Sequence, residues 1–116
     1  QLTSTDQESM ENDLLIKEPI DKVVMHYAHN AKLAGLDGVV CSPLEAEKVH
    51  TTCGKDFVTV TPGVRFADGD IGDQKRVMTP AEAKKIGSDY IVVGRPITAA
   101  EDPVAAYNRC VNEFVG

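Results

Sequence analysis

Two patterns of apolar residues alternate along this chain. Short runs that are rich in apolar or β-branched residues are typical of strands. Between these runs, apolar residues recur at the spacing of one helix face. Strands that are buried on both faces and alternate with helices predict a parallel sheet covered by helices on each side. The predicted strands span residues 38–41, 57–61 and 90–93.

Helix boundaries can be read from local signals. A stripe of apolar residues predicts a helix over about 20–34, and Gly35 stands where its C-cap is expected. Ser42-Pro43-Leu44-Glu45 and Thr79-Pro80-Ala81-Glu82 are capping boxes with proline at the first helical position, and they begin helices that run to about His50 and Ile86. A polar helix is predicted over about 6–15.

The last predicted helix starts at Asp102-Pro103. Its apolar positions recur at helical spacing, so we expect them to face inward. These positions are Val104, Tyr107, Val111, Phe114 and Val115.

The chain contains an internal repeat. Residues 31–40 match residues 83–92 in the pattern Ala-Lys-x-x-Gly-x-Asp, followed by an apolar strand. A repeated helix–Gly–Asp–strand unit is typical of a (β/α) barrel, and four such units amount to half of the roughly 250 residues that a barrel takes. Residues 1–3 resemble the end of a strand whose start is missing, so we interpret the chain as a piece of something longer. Half a barrel has open sheet edges, and we expect it to fold poorly alone.

The composition excludes several classes of protein. The 116 residues carry 12 Lys and Arg against 18 Asp and Glu, for a net charge of −6. That balance disfavours a nucleic-acid binder, which needs a basic face. No apolar run approaches the roughly 18 residues of a membrane span, and residues 1–5 lack the features of a signal peptide. Three cysteines at scattered spacing favour free thiols in the cytoplasm over a disulfide framework.

Two segments that follow strands are candidates for binding chemistry. The segment 61–79 joins a strand to a helix, yet it is much longer than the 2–6 residues usual there, which favours a lid over about 62–78. Arg65 and Gln74 lie near its two ends. Gly94-Arg95 directly follows the last strand, where barrels commonly bind phosphate, and Arg95 can hold a phosphate with two parallel hydrogen bonds. At this point the segment could also be an ordinary mobile loop, and Arg95 an ordinary surface arginine.

Other polar residues are weaker candidates. Thr3 stands at the end of a strand, where barrel active sites lie, although a helix-capping role is favoured for it. The three histidines do not converge on a metal site, and the aspartates of segment 68–73 lack the glutamate that completes a calcium loop. Cys41 has no histidine near it in sequence and is expected to be a small core residue.

Five segments together resemble the orotidine 5′-phosphate decarboxylase family, bacterial type. The resemblance is ordered and spans essentially all of residues 1–116, at a position that corresponds to the C-terminal half of that enzyme. The segments are Leu2-Thr3-Ser4-Thr5, Gly35-Leu36-Asp37-Gly38-Val39-Val40-Cys41-Ser42, Val60-Thr61-Pro62-Gly63-Val64-Arg65, Gly72-Asp73-Gln74-Lys75-Arg76-Val77-Met78-Thr79-Pro80 and Val93-Gly94-Arg95-Pro96-Ile97-Thr98.

The resemblance implies a fold and a reaction. The fold is a (β/α)8 TIM barrel, usually a cytoplasmic homodimer, of which this chain is about the C-terminal half. The reaction converts orotidine 5′-monophosphate (OMP) to UMP and CO₂ in pyrimidine biosynthesis, without metal or organic cofactor. Carried over by position, Thr3 contacts the pyrimidine amide edge and Arg65 binds substrate at the start of the lid. Gln74 bridges the pyrimidine and phosphate ends, while Gly94 and Arg95 hold the phosphate.

The sequence departs from the family at one decisive motif. The family's catalytic Asp-x-Lys-x-x-Asp is absent, because Met78 stands where the second aspartate would follow Asp73 and Lys75. The catalytic lysine and aspartates therefore lie outside this chain, which supplies only binding residues and is expected to be inactive alone. Two alternatives stay open: a related sugar-phosphate decarboxylase, and a non-catalytic half-barrel that binds phosphate or assembles with a partner half.

Overall fold

The computed structural model describes residues 6–67 and 78–116. Helices and strands alternate along the chain, as the sequence pattern predicts. The elements, in chain order, are α1 (Gln7–Asn12), α2 (Ile20–Leu33), β1 (Gly38–Val40), a 3₁₀ turn (Pro43–Glu45), α3 (Ala46–Cys53), β2 (Val58–Thr61), α4 (Pro80–Lys85), β3 (Tyr90–Ile91), α5 (Arg95–Thr98) and α6 (Pro103–Phe114).

The three strands form one parallel sheet in the order β1-β2-β3. Val39 pairs with Thr59, and Thr61 pairs with Ile91. The predicted parallel arrangement is therefore confirmed for the described residues. The strands are shorter than predicted, most clearly β3, which has two residues instead of four. Sheet order follows chain order, as in a barrel segment.

Both predicted capping boxes form. The Ser42 side chain accepts a hydrogen bond from Leu44 N, and the buried carboxylate of Glu45 accepts one from Ser42 N at 3.1 Å. At the start of α4, Thr79 Oγ1 accepts a hydrogen bond from Glu82 N, and Glu82 Oε1 accepts one from Thr79 N. The first box opens a 3₁₀ turn that continues into α3 as far as Cys53 rather than ending near residue 50.

The internal repeat of the sequence is also a structural repeat. Gly35 and Gly87 follow α2 and α4 with φ of +91° and +92°, a left-handed conformation that favours glycine. Gly35 N donates to Lys32 O and the next amide to Ala31 O, while Gly87 N donates to Lys84 O and the next amide to Ala83 O. These paired bonds form the same C-terminal cap twice and turn the chain toward β1 and β3.

The helices cover one face of the sheet. Val24 and Ala28 of α2 pack with Val49 and Cys53 of α3 against Cys41, which directly follows β1, and Phe57 closes the same core cluster. Cys41 is only 3% exposed, so its predicted place in the core is confirmed. On β3, a cavity of about 240 Å³ separates Ile91 from the inner side of α6.

The opposite face of the sheet carries a row of apolar side chains, which we call the open row: Val40, Val60, Tyr90 and Val92. The first three are aligned across the sheet by its register. Val40, Tyr90 and Val92 are 57%, 62% and 49% exposed. The expectation that helices cover both faces is thus wrong for the described residues, because these side chains stay exposed while α2 and α3 pack on the other face.

The predicted inward face of α6 also needs correction. Cys110 is its buried residue, while Val111 and Phe114 are half-buried. Val104, Tyr107 and Val115 are 69%, 58% and 71% exposed, so they are not buried. Tyr107 and Val115 nevertheless line the cavity beside Ile91, so they lie on the side of α6 that faces β3, whereas Val104 does not line it. Because α6 lies beside β3, at the edge of a three-stranded sheet, the sheet is too narrow to cover all of the apolar side chains of this helix.

One carboxylate links three elements at the N-terminal ends of the strands. Asp89 Oδ2 accepts hydrogen bonds from Thr59 N at 2.8 Å and Thr59 Oγ1 at 3.1 Å, and it lies 2.7 Å from His50 Nε2. Asp89 N in turn donates to Thr59 Oγ1 at 3.2 Å. The aspartate preceding β3 therefore joins β2 to α3, and we refer to Asp89, Thr59 and His50 as the Asp89 bridge.

The Asp89 bridge makes stability depend on pH. Partial burial of Asp89 acts to raise its pKa, but hydrogen bonds from the Thr59 backbone, His50 and the Thr59 side chain outweigh burial and hold the pKa below its ordinary value. A carboxyl whose pKa is lowered by folding stabilises the folded state above the pKa of the unfolded chain, about 3.9. That stabilisation is lost as pH falls from there through the folded-state pKa.

We expect Asp89→Asn to lower the free energy of unfolding at pH 7 by about 1–2 kcal/mol, since the charge-assisted contacts with His50 and Thr59 are weakened. Urea unfolding at pH 7 and at pH 3 measures this loss, which shrinks at the lower pH. Asp56→Asn is the matched control at an exposed carboxyl of the same sheet end. An equal loss for both variants, or a loss at Asp89 that does not change with pH, contradicts the role given to the bridge.

Candidate functional site

The candidate site lies at the C-terminal ends of β2 and β3. The chain leaves β2 at Thr61 and reaches Arg65 four residues later, while Gly94 and Arg95 follow β3. Val92 N donates to Thr61 O at 3.0 Å, which continues the pairing of the two chains past β3. Because carboxyl ends of parallel strands meet at one edge of a sheet, Arg65 and Arg95 both belong to that edge.

The segment after β2 is held at its base. Val64 and Met78 form an isolated parallel bridge, and Arg65 N donates to Met78 O at 3.0 Å. Val64 is 1% exposed, so the bridge is anchored in the interior. Arg65 itself is half-buried, and its Nε is buried. The guanidinium therefore starts from a fixed backbone position, which limits where it can bind an anion.

Arg95 opens the short helix α5, which the sequence analysis did not predict. Ile97 N and Thr98 N both donate to Gly94 O at 3.0 Å and fold the chain back directly after the strand. Apart from Gly94 and its two chain neighbours, no described atom lies within 4 Å of the point where a Cβ on Gly94 would stand. The backbone at Gly94 is thus open to close approach by a ligand, and the exposed Arg95 is next to it.

A contact that the sequence analysis missed lies beside Arg65. The guanidinium carbon of Arg109 lies 3.9 Å from the centre of the Phe66 ring, and Arg109 Nε donates to Glu113 Oε2 at 3.0 Å. A guanidinium over an aromatic face is a favourable cation–π contact. Phe66 and Arg109 are 43 positions apart, so only the Arg109–Glu113 spacing of one helical turn was visible in the sequence.

Three of the five predicted site residues lie in the described structure. Arg65, Gly94 and Arg95 are all at the same edge of the sheet, as expected. Thr3 and Gln74 lie outside the described residues, as do Asp68, Asp70 and Asp73. The described part of the site is therefore cationic, with two guanidinium groups and an open glycine backbone, an arrangement that suits a phosphate group.

The described residues provide neither a metal site nor a membrane-spanning helix. No group of three or more His, Cys, Asp and Glu side chains within 6–67 and 78–116 could hold a metal ion. His50 belongs to the Asp89 bridge, and His26 lies 3.3 Å from the Asn30 side chain on the surface of α2. Among the same residues, no helix has both the length and the apolar character to span a membrane.

Cys41 directly follows β1 but is not equipped as a nucleophile. Burial raises the pKa of its thiol to about 12, and the nearby Glu45 carboxylate adds to the rise. The thiolate is the reactive form of cysteine, so at neutral pH almost none of it is present. Burial also raises the pKa of Cys110. All three cysteines are buried and free.

We expect the folded protein to resist thiol reagents at pH 7.4, because its thiols are buried and Cys41 is protonated. Titration with a chromogenic disulfide should show slow reaction in buffer and rapid reaction of three thiols per chain in 6 M guanidinium chloride, the denatured control. Rapid stoichiometric labelling of Cys41 in the folded protein, located by peptide mass spectrometry, would contradict this description of its environment.

Comparison with known proteins extends these observations. Residues 1–110 match the model of the orotidine 5′-phosphate decarboxylase / HUMPS family. The chain is 53% identical to the orotidine 5′-phosphate decarboxylase of Geobacillus sp. (strain WCH70) and 54% identical to that of Lactococcus lactis subsp. cremoris (strain MG1363). The matches cover 100% and 98% of this chain but 48% of each relative, so the chain spans about half the length of these relatives.

A solved structure gives the same picture. The crystal structure of orotidine 5′-phosphate decarboxylase from Lactobacillus acidophilus superimposes with a TM-score of 0.81 at 44% sequence identity. The superposition covers 100% of this chain and 47% of that one. The described helices and strands therefore correspond to about half of a TIM barrel.

Proposed function

The chain belongs to the orotidine 5′-phosphate decarboxylase / HUMPS family, and from that premise we propose that it is the substrate-binding half of a carboxy-lyase that converts OMP to UMP and CO₂. The observation that carries the proposal is the edge of the sheet at which Arg65, Gly94 and Arg95 follow neighbouring strands. This edge supplies the cationic side chains and the accessible backbone that binding of a 5′-phosphate requires.

The roles that we propose for Arg65, Gly94 and Arg95 are supported by their positions at the end of the sheet. Gly94 and Arg95 hold the phosphate, because the backbone there is open and the guanidinium is exposed beside it. Arg65 binds substrate from the base of the segment 62–78, which we propose to be the phosphate lid. We assign Thr3 to the pyrimidine amide edge and Gln74 to bridging pyrimidine and phosphate, on the family resemblance alone.

Phosphate binding contributes to catalysis in this proposal, although the phosphate does not react. Contacts to a remote part of a substrate accelerate the reaction when they are fully made only in the transition state. The residues that protonate the developing carbanion and crowd the substrate carboxylate are a lysine and aspartates of the other half of the barrel. This chain therefore supplies binding energy, and the other half supplies the chemistry.

The open row supports the need for the other half. A parallel sheet ordinarily has both faces covered, and Val40, Tyr90 and Val92 are at least 49% exposed. We propose that N-terminal strands of the same barrel cover these side chains and pair with the edge of β3 at which the described residues place no strand. The complete barrel forms a homodimer in the cytoplasm, as the resemblance implies, and the buried free thiols fit a reducing compartment.

We expect Arg95→Ala in the complete enzyme to lose several kcal/mol of transition-state stabilisation, at least about a hundredfold in kcat/KM for OMP. Steady-state decarboxylation kinetics measure the loss. Lys55→Ala is the matched control, since it removes a charge at the opposite end of the sheet, between α3 and β2. An unchanged kcat/KM for Arg95→Ala would show that this residue does not hold the phosphate.

Residues 1–116 alone should not decarboxylate OMP, because the catalytic lysine and aspartates are supplied by the other half. We expect activity to appear when an N-terminal half from a relative is co-expressed, and Val40→Asp to abolish the association by placing a charge in the open row. Val104→Asp, at an exposed position of α6, is the control for the substitution itself. Co-purification and OMP turnover are measured together; turnover by residues 1–116 alone would contradict the division of roles.

A further inference from the structure

We propose that Arg109 is a positioning residue of the phosphate site: by holding the Phe66 ring against α6, it fixes the backbone from which Arg65 reaches the substrate. The inference rests on the proposed function, because it assumes that Arg65 binds substrate. It adds a residue of α6 to a site otherwise built from the segments that follow strands.

The geometry starts from Phe66, the residue after Arg65. Its ring is half-buried and lies under the Arg109 guanidinium at 3.9 Å from centroid to guanidinium carbon. This distance is well inside the roughly 6 Å over which a cation is attracted to an aromatic face. Phe66 belongs to the segment that follows β2. Its ring is nevertheless in contact with α6, a helix that follows β3 in sequence.

Arg109 is itself held in place. Its Nε donates to Glu113 Oε2 at 3.0 Å, one helical turn further along α6. The two side chains are 46% and 26% exposed, so the pair is partly shielded from solvent. A guanidinium that is fixed by a carboxylate at Nε keeps its planar face available for the ring. A lysine ammonium has no such plane, so the arrangement is specific to arginine.

The backbone between these anchors has little freedom. On one side of Arg65, Val64 is buried and bridged to Met78, and Arg65 N donates to Met78 O at 3.0 Å. On the other side, Phe66 is attached to Arg109. Arg65 thus lies between two fixed neighbours. A site that holds a phosphate with charge-assisted hydrogen bonds needs its groups held close to the productive geometry, and these two anchors provide that.

The test compares OMP with orotidine, the same substrate without its phosphate, in the complete enzyme. Removal of Arg109 disturbs only the phosphate side of the site, so we expect Arg109→Ala and Phe66→Leu each to lower kcat/KM for OMP by about 3- to 30-fold, with a fall in kcat as well as a rise in KM. The value for orotidine should stay within about twofold of wild type, since orotidine makes no phosphate contact. Phe66→Tyr keeps an aromatic face and should retain most activity, whereas Arg109→Lys should be intermediate.

Two controls separate positioning from general stability. The double variant Arg109→Ala/Phe66→Leu should be no worse than either single variant, because both remove the same contact. Lys22→Ala breaks another ion pair of the same i,i+4 spacing, between Lys22 of α2 and Glu18 just before that helix, and should leave the activity on both substrates unaffected.

Equal losses on OMP and orotidine would show that Arg109 contributes only to stability. Additive losses in the double variant would show that Arg109 and Phe66 act independently, and either result would overturn the inference. Loss of activity in Phe66→Tyr as large as in Phe66→Leu would overturn it as well. If the wild-type enzyme did not decarboxylate OMP at all, the proposed function itself would fail, and the inference with it. That outcome is distinguished by the wild-type measurement alone.

Discussion

A parallel sheet of apolar strands is stable only when both of its faces are kept from water, and this requirement governs the whole molecule. The described helices cover one face, where Val24, Ala28, Val49 and Phe57 form a core. The other face presents the open row to solvent. The chain thus has regular local structure, while one face of its sheet keeps apolar side chains exposed among the described residues. The exposed face agrees with the sequence comparison, in which the chain spans about half the length of its relatives.

Local features were the ones that could be predicted from the sequence. The two capping boxes need only residues three apart, so Ser42 with Glu45 and Thr79 with Glu82 form as expected. The repeated glycine caps depend on one residue with positive φ after each helix, and strand order follows from the alternation of elements. Predictions about burial did less well. The apolar face of α6 could be recognised, but the sequence does not say how much of its partner surface is present, so Val104 and Tyr107 are more exposed than expected.

Contacts between distant positions could not be predicted in this way. His50 and Asp89 are 39 positions apart, and no periodicity relates them. The stacking of Arg109 on Phe66 depends on how α6 lies beside the segment after β2, which pattern analysis does not address. For the site, Arg65, Gly94 and Arg95 could be selected from their places after strands, and the structure brings them to one edge. The roles of Thr3 and Gln74 came from family resemblance and stay predictions.

The order of the strands in the sheet has a consequence for how the polypeptide folds during its synthesis. Because β1, β2 and β3 are neighbours in both sequence and space, each strand can dock on the one made just before it, without waiting for a distant partner. The Asp89 bridge is the exception. His50 and Thr59 leave the ribosome well before Asp89, so the carboxylate joins α3 and β2 only when β3 arrives. The sheet can therefore form one strand at a time in the order of synthesis, and the hydrogen bonds of the Asp89 bridge form last.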